Sequence, residues 1–187
     1  MTKVFGIGLS KTGTTSLYAA LALLGYKTIT YRHMAEIGMH SWFRGDFKID
    51  HLDGIDAATD LPVAPFFREL DQAYPGSKFI LTKRPIEGWQ KSITRQFNQT
   101  SQQLQLPSFA RDTHLATYGI WGVNEDRLTQ VSKDHEISVR DHFSNRPDDL
   151  LVLNFFKNDG WVELCAFLGN EVPDIAFPNV KPGYEAY

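Results

Sequence analysis

The chain has one cysteine, Cys165, so it can form no internal disulfide and no cysteine-based zinc site. It sits in the apolar helical pattern Trp161-Val162-Glu163-Leu164-Cys165-Ala166-Phe167-Leu168, which predicts a buried structural thiol rather than a nucleophile. No apolar run approaches the roughly 20 residues that span a bilayer. The apolar run at the N-terminus is short and breaks at a glycine–serine–lysine loop, unlike a secretory signal. Neither charge dominates: 19 Lys and Arg face 22 Asp and Glu, for a net charge of −3, which argues against a general nucleic-acid binder. His33, His40 and His51 are too scattered to predict a metal site. Internal repeats and interdomain linkers are also missing. These absences predict a cytoplasmic protein with no membrane or nucleic-acid partner, and they say nothing of oligomeric state. With 187 residues and a 42% hydrophobic fraction, the chain is long enough to bury one real core.

The positive signal begins at residue 4. Val4-Phe5-Gly6-Ile7 is an apolar run, Gly8-Leu9-Ser10-Lys11-Thr12-Gly13-Thr14-Thr15-Ser16 is a Gly/Ser/Thr loop, and an Ala/Leu-rich helix follows. A strand, a loop and a helix in that order direct backbone N–H groups and the positive end of the helix at one point, where an anion can sit. Gly13 permits a tight turn and a close approach. The frame is G-x-x-x-x-G, yet Thr14-Thr15 stands where a nucleotide triphosphatase has Lys and Ser/Thr. The lysine is instead Lys11, two places before the glycine. That displacement points to a different phosphate ester, handled without a metal.

Strands are expected near residues 3–9, 26–31, 55–62, 78–84 and 149–155. Helices are expected near 14–24, 64–74, 85–97, 112–121, 123–144 and 161–168, with Tyr118, Trp121 and Phe143 facing inward. The polar stretch 98–110 reads as a lid or substrate loop. Trp42, Phe43 and Phe47 belong either to an irregular segment covering the core or to an acceptor pocket. This alternation predicts a single α/β domain over 1–187: a three-layer, P-loop-like fold with a mostly parallel central sheet and helices on both faces.

Lys11-Thr12-Gly13-Thr14-Thr15 resembles the phosphosulfate loop of sulfotransferases that use 3′-phosphoadenosine 5′-phosphosulfate (PAPS). The resemblance extends to Arg84 and Ser92. Arg84 ends a predicted strand and Ser92 lies about two turns into the next helix, the R-x₇-S pattern that grips the ribose 3′-phosphate in that family. It also covers Asp60-Leu61-Pro62, Tyr74 to Leu81 and Gly160-Trp161 through Pro178. It implies that Lys11, Thr12, Gly13, Thr14, Thr15 and Ser16, with Arg84 and Ser92, bind PAPS or its product 3′-phosphoadenosine 5′-phosphate (PAP). Lys11 would steady the leaving oxygen. No metal is implied, and the acceptor would be a hydroxyl or amine on a small molecule or glycan.

Asp60 stands where cytosolic members place a catalytic histidine. A carboxylate can serve as the base, or Asp60 can cap the helix that follows; His51, His114 and Glu36 are reserves. Two features depart from the family. Ser16 occupies the usual position of the adenine-stacking tryptophan, and a late Arg-Lys-Gly stretch is missing, leaving only Lys157 and Lys181. Two other readings stay open: a small P-loop kinase or triphosphatase, and a non-catalytic nucleotide-binding protein of the same fold.

Overall fold

The computed structural model describes residues 3–36, 41–47, 52–101 and 108–180. Five strands form one parallel sheet: β1 (Val4–Gly6), β2 (Thr28–Ile29), β3 (Ala57–Thr59), β4 (Lys78–Thr82) and β5 (Leu150–Leu153), in the order β2-β3-β1-β4-β5. Phe5 of β1 is in register with Ala58 and Phe79, and Leu81 with Val152. The helices are α1 (Thr14–Leu23), α2 (Tyr31–Glu36), α3 (Phe67–Ala73), α4 (Ile86–Ser101), α5 (Ser108–Tyr118), α6 (Glu125–His142) and α7 (Trp161–Leu168).

Alternation along the strands builds the layers. Phe5, Phe79 and Leu81 point to one face, where Phe67 and Leu70 of α3 and Val139 of α6 cover them. Val4 and Ile80 point to the other, against Leu17, Ala20 and Leu21 of α1 and Leu164 and Cys165 of α7. Burial on both faces is what an all-parallel sheet requires. Fully burying each such side chain contributes about 1.5–3 kcal/mol. A third apolar cluster lies beyond the sheet, where Trp89, Ile93 and Phe97 recur every four residues along α4 and meet Leu9, Leu61 and Tyr118. Cys165 is buried, as the sequence predicts.

Several boundaries differ from the sequence reading. The second strand ends at Ile29, and Tyr31 begins a helix. There the backbone N–H of Thr30 donates to Nδ1 of His33, and the Thr30 carbonyl accepts from Met34, which turns the chain out of the sheet. α5 stops at Tyr118 because Gly119 adopts a positive φ of 68°. Trp121 therefore lies outside the helix and is 37% exposed, whereas Tyr118 and Phe143 are buried as expected. α4 continues through residues read as a lid, and α5 begins at Ser108; the rest of that stretch, with His40 and His51, lies outside the described residues. Of the aromatic segment, Trp42 is 1% exposed and meets Phe47 and Phe66.

Candidate functional site

Sheet order reverses around β1, with β3 on one side and β4 on the other, and in open α/β sheets the crevice outside such a switch point receives the ligand. The Gly/Ser/Thr loop leaves β1 at that crevice. A Cβ on Gly8 would lie 1.9 Å from Oγ1 of Thr82, so only glycine lets β4 come so close. Gly13 has φ +109°, and a Cβ there would meet the Phe155 ring at 2.6 Å. Its carbonyl accepts from Leu17 N–H at 3.0 Å and opens α1, whose first turn has no side-chain cap. Those N–H groups and the helix dipole face a cavity of about 850 Å³.

Lys11, Gly13, Thr14, Thr15 and Ser16 line that cavity on one side; Asp60, Arg84 and Ser92 line it on others. Arg84 turns toward the loop: its Nη1 donates to the Lys11 carbonyl at 3.3 Å, and its guanidinium lies 4.6 Å from the Phe156 ring. Arg84 Nε is buried and has no hydrogen-bond partner among the described residues. Thr12 is the exception among the sequence-predicted residues. Its hydroxyl is buried, bonded to the Leu9 carbonyl and to Thr82 at 2.6 Å each, and it does not line the cavity.

Asp60 follows β3 with φ +73°, an uncommon conformation for aspartate, and Lys11 is similar at +71°. Strain of this kind concentrates at functional positions. Asp60 does not cap the following helical turn, whose first residue has no side-chain cap. It instead accepts from Ser10 Oγ at 3.0 Å. Burial pushes its pKa up, while hydrogen bonds from the Leu61 backbone, Ser10 and Thr14, with the Lys11 charge, pull it partly back. Lys11 moves the opposite way. Burial lowers its pKa, Asp60 opposes, and Arg84 and Arg95 lower it further. Arg84 is lowered by burial and again by Arg95.

Arg95 is the residue that sequence reasoning missed. It lines the same cavity, three places after Ser92 on α4, a spacing that puts both on one helix face. Three cations thus converge on one cavity, an arrangement complementary to a ligand with several negative charges. The α4 helix is pinned to the loop by Trp89, whose Nε1 donates to the Ser10 carbonyl at 2.9 Å. Lys83 faces away and pairs with Glu136.

The far wall comes from the end of the chain. Ser16 Oγ accepts the Val180 N–H at 3.1 Å, and Trp161 Nε1 donates to the Ile175 carbonyl at 2.8 Å. Between them Phe177 meets the rings of Phe155 and Trp161, each at 4.9 Å between centroids. Among the described residues, no group of three His, Cys, Asp or Glu side chains could hold a metal ion, and no helix is long and apolar enough to cross a membrane.

The sequence model of the family described as "Sulfotransferase domain" matches residues 3–185. The chain is also similar to "Ava biosynthesis cluster protein M" of Aspergillus versicolor, at 27% identity over 213 residues, covering 95% of this chain and 80% of the relative. The family match begins before β1 and runs past the segment bonded to Ser16, so it takes in both anion-facing stretches and the wall between them. The chain belongs to the sulfotransferase family.

Proposed function

We propose that the protein transfers a sulfuryl group from PAPS to a hydroxyl or amine of a small-molecule or glycan acceptor in the cytoplasm. Family membership supports sulfate transfer in general. The observation that carries the finer reading is the Arg84 guanidinium, which donates to the Lys11 carbonyl and so brings two anion-facing segments into one cavity. A doubly phosphorylated nucleotide fits what the residues offer: a glycine turn with no room for a side chain, the uncapped start of α1, an Arg84 Nε without an acceptor, and three converging cations.

When bound, PAPS supplies an activated sulfuryl group attached through a phosphate oxygen. Lys11 and the N–H groups of the loop stabilise the charge that develops on that oxygen. Arg84, Ser92 and Arg95 would hold the 3′-phosphate, the two arginines through charge-assisted bonds. Thr14, Thr15 and Ser16 add hydroxyl donors at the 5′ end. Asp60 takes the acceptor's proton, its raised pKa bringing it closer to the range where a base works well near neutral pH. Phe155 and Phe177 offer an aromatic wall to the adenine, in place of the tryptophan that Ser16 replaces.

Calorimetry tests this reading directly. PAP should bind without a divalent cation, and ATP with Mg²⁺ should bind far more weakly. The reverse order would favour a P-loop kinase or triphosphatase. PAP binding without turnover across a broad acceptor panel would favour a non-catalytic binder.

A further inference from the structure

His114, in α5, is 5% exposed. Its Nδ1 lies 2.7 Å from the Ala110 carbonyl oxygen. A carbonyl oxygen can only accept, so Nδ1 carries the proton and Nε2 presents a lone pair. That lone pair is sealed from solvent and meets no donor among the described residues. Buried polar atoms without a partner are rare and call for an explanation. Protonation does not supply one: burial holds the His114 pKa below the usual histidine range, opposed by the Ala110 carbonyl and by the Asp60 charge.

Three rings enclose His114: Phe97 at 5.1 Å, Tyr118 at 5.9 Å and Trp121 at 5.3 Å. Phe97 and Tyr118 are buried, but Trp121 is 37% exposed. Trp121 lies between Gly119 at φ +68° and Gly122 at φ +126°. A Cβ on Gly122 would touch nothing within 4 Å, so that glycine serves the backbone conformation and not the packing. The outer wall of the His114 enclosure is therefore one aromatic ring on a glycine-flanked loop. The enclosure's inner side packs against the segments that carry Ser10 and Asp60. Tyr118 shares an apolar cluster with Leu9 and Leu61, the chain neighbours of Ser10 and Asp60.

We propose that His114 and Trp121 form the acceptor's docking site, for an uncharged molecule that carries an O–H or N–H donor on a planar apolar body. Trp121 swings outward to admit the planar body, which stacks between it and Phe97. The donor hydrogen-bonds to His114 Nε2, and the same group then lies on the side of α5 that faces Asp60. An anionic acceptor is disfavoured, because the rings offer it no counter-ion and the nearby Asp60 charge opposes it. Calling this ligand the acceptor rests on the sulfuryl-transfer reading; the site itself does not.

The probe is 2-naphthol, with 2-methoxynaphthalene as the partner that lacks a donor. 2-Naphthol should change the Trp121 fluorescence, a signal absent in Trp121→Phe, and should bind at least tenfold more tightly than the ether. His114→Phe should erase that preference and leave PAP affinity unchanged. In the wild-type protein, the ¹⁵N resonance of His114 Nε2 should move as 2-naphthol saturates; this readout needs no variant to fold. Equal binding of naphthol and ether, no naphthol binding, or a fixed Nε2 resonance at saturation overturns the proposal. If naphthol binds as described but PAP does not, the nucleotide reading falls and this site stands.

Discussion

Arg95→Gln separates a cation that binds ligand from one that holds the fold together. Arg95 lowers the pKa of both Lys11 and Arg84, so without an anion its charge is repulsive toward both. The residue is exposed, and water screens each repulsion to about 0.2–1 kcal/mol. Removing the charge should therefore stabilise the ligand-free protein by up to about 2 kcal/mol, a Tm rise of at most roughly 4–8 °C for a chain of this size. With PAP bound the sign reverses. A charge-assisted hydrogen bond to phosphate contributes about 1.5–3 kcal/mol. At about 1.4 kcal/mol per decade, PAP affinity should fall roughly 10- to 150-fold. Calorimetric melting with and without saturating PAP, with titration calorimetry, reads both effects. Arg111→Gln, which removes an exposed cation paired with Asp112, is the control and should change neither. If Arg95→Gln lowers the ligand-free Tm and leaves PAP affinity within twofold of wild type, Arg95 is structural and the three-cation argument fails.

The remaining predictions bear on the same cavity. Lys11→Ala should cut turnover by about 10²–10³-fold, the usual loss when one donor to a developing oxyanion is removed, while PAP affinity weakens by no more than about 1.5–3 kcal/mol; unchanged turnover removes Lys11 from the chemistry. The pH–rate profile should be narrowed from both sides. The raised Asp60 pKa moves the acid limb above the ordinary aspartate range near about 3.9, and the lowered Lys11 pKa moves the alkaline limb below about 10.4. Ser10→Ala removes a hydrogen bond to the Asp60 carboxylate, so the acid limb should rise again; an acid limb that ignores this change dissociates Asp60 from the proton transfer. The linked stability effect has a definite sign. A carboxyl with a raised folded pKa stabilises most below its unfolded pKa and loses that contribution as pH rises through its folded pKa, so Asp60→Asn should raise Tm at neutral pH. Finally, Gly13→Ala forces a methyl group at φ +109° against Phe155, and should cost roughly 1–3 kcal/mol by differential melting and abolish PAP binding; a wild-type Tm would mean that the turn relaxes freely.

What was legible in the sequence shares one property: the chemistry and its geometry lie within a few residues of each other. The loop from Gly8 to Ser16 declares strand, turn and helix in a single stretch, and Arg84 with Ser92 spans one strand–helix junction, so both were located by number. Arg95 carried the same kind of signal, one turn beyond Ser92, but its family resemblance stops at the serine. Thr12 was assigned by its neighbours' chemistry, and only the approach of Thr82 across β4 turns its hydroxyl inward. Asp60 is a similar case, because one of its hydrogen bonds comes from Ser10, 50 residues earlier, a contact that no local pattern shows.

The aromatic wall was out of reach for any local argument. Ser16 at the tryptophan position reads as a loss until the Val180 N–H, 164 residues away, is seen to bond its hydroxyl and bring Phe177 alongside. A serine is the smaller side chain, and here its hydroxyl also accepts the N–H of Val180 beside the start of α1. The loop that opens α1 and the segment around Val180 are thus coupled, and on the proposed PAPS reading a change in either should be felt in nucleotide affinity before it is felt in the core.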